Sequence, residues 1–277
     1  MYKLAVTDID GTLVDSKGNI SQRTLHTIKK VTDIGIPFTV CTGRNITKAM
    51  PIAKKLGLKV PFVCIDGILI YDPVVGRPVL DMSMSQENVK KIVELGAERN
   101  TFIEVSDGYR YYKYLPTKEH RKYDCFNKHN ISGRVKSYMG GIRYVNSPNE
   151  LCKVKGPIYQ VVIGAEEEIT REITSIVRNQ GYESIEVRDL LWKEFLFINH
   201  QGMGKARGVK LLCDYFKISP KEVIAFGDER NDIDMLELVG MGVAMDNADE
   251  SVKAVADYVT LSNDNDGVAE ALSKFFL

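Results

Sequence analysis

Net charge is the first thing this chain lacks. Its 37 Lys and Arg are matched by 37 Asp and Glu, so the overall basic excess of a dedicated nucleic-acid-binding protein is missing, although a local basic groove is compatible with neutrality. Cysteine is scarce and odd in number. Cys41, Cys64, Cys125, Cys152 and Cys213 are widely spaced and form no CxxC pair, which argues against a secreted disulfide framework and a zinc ribbon and for reduced thiols in a cytosol. Long apolar runs are also missing. None approaches the ~20 residues that cross a bilayer, and the start reaches Asp8 too soon for the apolar core of a signal peptide. Neither a long repeat nor a low-complexity linker is present. These absences predict a cytoplasmic, soluble protein with no nucleic-acid or membrane partner; monomer and small homo-oligomer both remain open.

What is there is ordinary globular material: 277 residues, 44% hydrophobic and 27% charged. At roughly 100–200 residues per domain this is one large domain or two smaller ones, long enough to bury a core without disulfides or a structural metal.

Hydrophobic periodicity divides the chain in three. Strand-like Leu4–Thr7, a helical pattern over 21–34, an apolar strand from Ile36 to Cys41, a helix from Asn45 to Leu56 and a strand from Val60 to Ile65 give β-α-β-α-β order, which predicts a parallel sheet with crossover helices. A hairpin over 67–81 follows. The middle differs: a helix over 85–99 with Ser85 as N-cap, strands near 102–105 and 109–114, a stretch over 115–157 without clear periodicity, then a strand at 158–163, a helix at 166–179 and strands near 184–188 and 193–198. From 204 the first style returns, with a helix over 204–216, a capping-box sequence Ser219-Pro220-Lys221-Glu222, a strand at 223–226, a helix near 232–239, a strand at 241–244, a helix at 249–256, a strand at 257–260 and a last helix at 267–276. The expected architecture is an α/β, Rossmann-like parallel-sheet core (1–82 and 199–277) interrupted by an α+β module (83–198), with hinges near 81–86 and 197–202.

Four constellations carry chemistry. Asp8-Ile9-Asp10-Gly11-Thr12-Leu13 directly follows the first strand. Extended chain would turn Asp8 and Asp10 to one side, at the carboxyl edge where open α/β sheets bind ligands. Two like charges so close call for a cation, and Mg²⁺ suits oxygen donors; a solvated turn is the bland alternative. Gly227-Asp228-Glu229-Arg230-Asn231-Asp232 is a second acidic cluster after a strand, which could complete a hard-cation site or merely favour a helix N-terminus. Thr42-Gly43-Arg44 offers a hydroxyl and a glycine N–H before a helix, an anion pocket or an ordinary turn. Lys205 opens a helix, where a cation opposes the helix dipole and wants an anion nearby. Gly202-Met203-Gly204-Lys205 is not a phosphate-binding P-loop, because Asn199 and Ala206 stand where that motif needs Gly and Ser or Thr.

With these four placed in order, the chain resembles the haloacid dehalogenase superfamily of Asp-nucleophile phosphatases. The size and place of the insertion, the stretch Gly242 to Ala248 and Asp266-Gly267-Val268-Ala269 are similar to its Cof-type branch, subclass IIB, which carries an α/β cap. The resemblance implies a Mg²⁺-dependent phosphatase acting on small phosphate monoesters, such as sugar phosphates or phosphorylated cofactors. Asp8 would be the nucleophile that forms an aspartyl-phosphate, and Asp10 the acid and then the base. Asp8, the Asp10 carbonyl and Asp228 would hold Mg²⁺, with Asn231 and Asp232 orienting them. Thr42, Gly43 and Lys205 would hold the phosphoryl oxygens. Relatives often have Asn-Gly after the third strand, where this chain has Asp66-Gly67; the resemblance gives Asp66 no role. A sugar phosphomutase and a non-catalytic phosphate-ester-binding module on the same fold are the alternatives.

The middle of the chain is less specific. The Tyr109–Tyr114 run reads as sheet packing, and His120, Lys128, His129 and Arg134 read as solvated surface. His26 reads as structural, Trp192 and Phe195 as packing, and Glu166-Glu167-Glu168 as a helix start.

Overall fold

The computed structural model describes residues 2–124, 141–179, 194–199, 202 and 204–277. Cys125, Lys128, His129, Arg134, the strand expected at 184–188, Trp192 and part of the second expected hinge lie outside the described residues. Contacts divide the chain into two compact units: Met1–Arg44, Ala49–Leu80 and Met203–Leu277 form one, Asn45–Lys48 and Asp81–Gly202 the other.

The first unit is built on five parallel strands in the order Tyr258–Val259, Met241–Ala244, Val223–Gly227, Leu4–Thr7 and Phe38–Val40. The three central ones are almost wholly buried, and their near-continuous apolar runs are what a sheet covered on both faces demands. A parallel bridge between Cys41 and Val63 links this sheet to a smaller one formed by Phe62–Cys64, Leu69–Asp72 and Arg77–Asp81. Leu4–Thr7 pairs with Phe38–Val40 on one side and Val223–Gly227 on the other, so the order reverses there. In open α/β sheets ligands bind beyond the carboxyl ends of the strands at such a reversal, and Asp8, Thr42 and Asp228 stand at or just past those ends.

Helices start where their caps allow. Ser21 accepts from the Thr24 N–H and opens Gln22–Asp33. Pro51 sits inside Ile46–Leu56 without ending it. The capping box at Ser219 forms, but over the short 3-10 turn Pro220–Glu222 that leads straight into a strand. The helix expected over 249–256 is only Glu250–Lys253, with Asp249 as its cap.

The second unit is a five-stranded sheet in the order Phe195–Asn199, Gln160–Gly164, Phe102–Ser106, Tyr111–Tyr114, Ile142–Val145. All its pairings are antiparallel except the last. Ile103, Val105, Val161, Ile163, Leu196 and Ile198 pack with Val89, Ile92 and Val93 of the helix Gln86–Glu98 and with Ile173 and Val177 of Glu167–Asn179. The other face is partly polar. Lys113, fully buried, meets Asp124 at 2.6 Å and Glu104 at 2.9 Å, and Tyr144 donates to Asp124. The tyrosine run is thus sheet, as alternation suggests, but the lysine within it is an ion-paired core residue. Phe195 packs with Phe102, Tyr123 and Val162. Among the described residues, Cys41, Cys64, Cys152 and Cys213 are free thiols, and no helix is long and apolar enough to cross a membrane.

Candidate active site

The strand Leu4–Thr7 ends one residue before Asp8, whose N–H continues the sheet by donating to the Phe226 carbonyl at 2.9 Å. A tight helical turn over Ile9–Leu13 follows at once; within it Asp10 keeps an extended φ of −80° and ψ of 125°, while Gly11 takes φ 74°. The strand's alternation does not carry through this turn, so Asp8 and Asp10 do not share a side. Asp8 is buried, whereas the Asp10 side chain is 55% exposed and gripped by Arg44, whose Nε and Nη2 reach its two oxygens at 2.7 and 2.5 Å. Gly11 is obligatory on two counts. Its φ is left-handed, and a Cβ there would come within 2.0 Å of Asp228 Oδ2.

The helix Lys205–Phe216 delivers its first side chain inward. Lys205 Nζ donates to Asp8 Oδ1 at 2.9 Å and to Asp232 Oδ1 at 2.7 Å, with all three side chains at most 7% exposed. Asp232 Oδ2 in turn accepts the N–H groups of Asp228 and Glu229 at 3.0 and 3.1 Å, which fixes the turn after Val223–Gly227. Asp228 Oδ1 accepts from the Thr12 hydroxyl at 2.6 Å. The two acidic stretches, distant in sequence, thus converge: one carboxylate oxygen each from Asp8, Asp228 and Asp232 lie within 4.8 Å of one another.

Burial sets the electrostatics. It pushes the Asp8 carboxyl well above the usual carboxylate range, against the attraction of Lys205 and with the help of Asp232. It pushes Asp228 up to about 7, with the Thr12 hydrogen bond opposing. For Lys205, burial works to lower the ammonium, but the charges of Asp232, Asp8 and Asp66 outweigh it and hold it well above its ordinary value. One buried ammonium is set among several carboxylates that are short of positive charge. A hard cation fits that deficit and that all-oxygen donor set. Both oxygens of Asp232 are occupied by Lys205 and backbone N–H groups, so Asp8 and Asp228 are the side chains with capacity for the ion.

Thr42 is buried, donates its N–H to the Val63 carbonyl at 3.0 Å and accepts the Arg44 N–H on Oγ1 at 3.2 Å. A Cβ on Gly43 would meet both Asp66 oxygens at 3.1 Å. Asn231, on the surface, donates Nδ2 to Asp66 Oδ1 at 2.9 Å. Four residues at this site had no role from sequence: Thr12, Arg44, Asp66 and Asn247, the last donating to the Gly11 carbonyl at 2.9 Å. Thr12 and Arg44 lay inside the singled-out motifs, and Asn247 lay in the stretch similar to the Cof-type tail. Only Asp66 was marked by a departure.

Comparison with known proteins bears on the family and the fold. Residues 5–272 match the family model of haloacid dehalogenase-like hydrolases. The 5-amino-6-(5-phospho-D-ribitylamino)uracil phosphatase YitU of Bacillus subtilis is 31% identical over 99% of this chain and 97% of its own. A haloacid dehalogenase-like hydrolase from Bacteroides thetaiotaomicron superposes with a TM-score of 0.81 at 29% identity, covering 100% of both chains. The fold is shared too by a subclass IIB sugar phosphatase, TM-score 0.78 at 24% identity over 99% of this chain and 98% of that one. The parallel-sheet fold with acids at its carboxyl edge is that of a hydrolase built on a Rossmann-like core. The chain belongs to the haloacid dehalogenase-like hydrolase family.

Proposed function

We propose that this protein is a Mg²⁺-dependent phosphatase of small phosphate monoesters, sugar phosphates or phosphorylated cofactors, working through an aspartyl-phosphate on Asp8. The observation that carries the reading is the convergence of Asp8, Asp228 and Asp232 around Lys205. The phosphoribitylamino-uracil substrate named for one relative supports the substrate class.

Asp8, the Asp10 carbonyl and Asp228 would hold the ion, with Asp232 and Asn231 orienting them. When bound, Mg²⁺ would supply charge neutralisation for the nucleophile and the transferring phosphoryl group. Asp8 attacks phosphorus as the bond to the ester oxygen breaks, giving a covalent carboxylate intermediate. Asp10 delivers a proton to the departing alcohol oxygen, then takes one from the water that cleaves the acyl phosphate. Arg44 occupies both Asp10 oxygens in the structure, so Asp10 carries the proton only once that fork has released it. Thr42 Oγ1, the Gly43 N–H and Lys205 Nζ bind the phosphoryl oxygens, since phosphoryl transfer asks chiefly for positioning and charge stabilisation. The test is a panel of phosphate esters: release should require Mg²⁺ and stop on chelation, and a protein inert on the whole panel would refute the reading.

Asp228 makes metal binding pH-dependent. Its folded value of about 7 lies above the ordinary 3.8, so ionising it costs stability, and the metal-free protein loses that contribution as pH rises from the ordinary value through the folded one. Mg²⁺ binds the ionised form and offsets the loss. The Mg²⁺-induced rise in Tm should therefore be clearly larger at about pH 8 than at about pH 5.5. Equal rises at both would remove Asp228 from the ligands.

A further inference from the structure

Asp66 has no part in the chemistry just described, yet the chain strains to place it. Ile65 and Asp66 both lie in the left-handed region, with φ of 48° and 47°, a genuine outlier for a β-branched residue. Gly67 follows at φ 95°, and a Cβ on it would come within 1.9 Å of the Gly204 carbonyl, immediately before the Lys205 helix. Strain of this kind persists only where the surroundings over-determine it, and it gathers at functional sites. Here they do. The Ile65 N–H donates to the Arg44 carbonyl and the Asp66 N–H to the Thr42 carbonyl, each at 3.1 Å. The Asp66 carboxylate lies against Gly43 and accepts from Asn231.

One loop therefore touches the Thr42–Arg44 turn, the start of the Lys205 helix and the 228–232 loop. The carboxylate also fixes an orientation. An acceptor at 66 draws Nδ2 of Asn231 toward it and leaves Oδ1 turned away. We propose that Asp66 is a positioning residue, whose carboxylate holds Asn231 in the orientation that the adjoining phosphoryl and metal site needs. The proposal rests on the phosphatase reading above and goes beyond it, because that reading gives this position no role.

Asp66→Gly removes the carboxylate without straining the backbone, since glycine takes positive φ freely. Asp66→Asn keeps an acceptor on a residue that tolerates this conformation. For a phosphate ester turned over by the wild type, Asp66→Gly should lower kcat/KM about tenfold, mostly through KM, the scale of one hydrogen bond to a charged group. Asp66→Asn should stay within about threefold of wild type. In an Asn231→Ala background the Asp66→Gly change should add less than about twofold, because residues acting through one contact are not additive. Asp66→Gly at wild-type efficiency, equal losses in Asp66→Gly and Asp66→Asn, or losses that multiply with Asn231→Ala would each overturn the role. Asn231 is on the surface, so Asn231→Ala keeps the fold, and it must reproduce the loss; wild-type kinetics for it also overturn the proposal. A wild type that hydrolyses no ester is a different failure: it sinks the phosphatase reading and this role with it.

Discussion

Asp8→Asn should abolish phosphate release while leaving the protein at least as stable as the wild type. The amide is isosteric and keeps an oxygen for Lys205, so the geometry around Lys205 and Asp232 survives. What goes is the proposed nucleophile. Removal of a nucleophile from a concerted catalytic set costs orders of magnitude, and the expected loss here is at least about 10⁴-fold. Stability goes the other way. Burial is the dominant influence on the Asp8 carboxyl and exceeds the attraction of Lys205, so the ionised side chain is held at a cost that the neutral amide avoids. The Tm of the metal-free variant should equal or exceed that of wild type, by up to about 5 °C. Residual turnover within about tenfold of wild type would refute the nucleophile, and a marked fall in Tm would show that the Lys205 attraction outweighs desolvation.

Much of this was legible in the sequence, for a definite reason. Parallel-sheet strands buried on both faces are short apolar runs, and Leu4–Thr7 and Met241–Ala244 can be read to the residue. Site residues placed directly after such strands inherit their position from the sheet, so Asp8 and Asp228 need only the strand ends to be right. Asp10 shows where that logic stops. The chain turns at Ile9, and a period-two argument carried past the end of the strand puts its side chain beside Asp8, when it lies on Arg44 instead. Asp66 and Asn231 meet across a sequence gap that no spacing rule connects, and the strain at Ile65 has no signature in residue type. In the second unit, the tyrosine run reads as sheet packing, and nothing in it marks Lys113 as a buried, ion-paired residue. Its burial depends on Glu104 and Asp124, carboxylates supplied by a neighbouring strand and by the residue after a short helical turn.

Lys205→Met is the substitution expected to damage the fold most, and its pH dependence is the more searching measurement. Methionine fills a similar volume but leaves Asp8 and Asp232 buried beside each other without the ammonium that bridges them at 2.9 and 2.7 Å. Breaking a buried ion pair by removing one partner costs about 3–5 kcal/mol, because the remaining charge is uncompensated. At roughly 2–4 °C per kcal/mol for a domain of this size, Tm should fall by about 6–20 °C near pH 8. The sign with pH follows from which group can relieve the strain. Asp8 is already pushed upward by burial, and without Lys205 it rises further. Lowering the pH then neutralises it in the variant before it does so in the wild type. The gap in Tm between the two proteins should accordingly narrow as pH falls to about 5. Mg²⁺ should narrow it as well, since a divalent ion on Asp8 and Asp228 replaces part of the lost positive charge. Activity should not return with it, because on the proposed reading the phosphoryl oxygens have lost a charged donor, typically worth about 10²–10³ in rate. A Lys205→Met protein as stable as wild type at every pH would mean that the buried carboxylates are not held by this ammonium, and the charge deficit from which the metal site is argued would disappear with it.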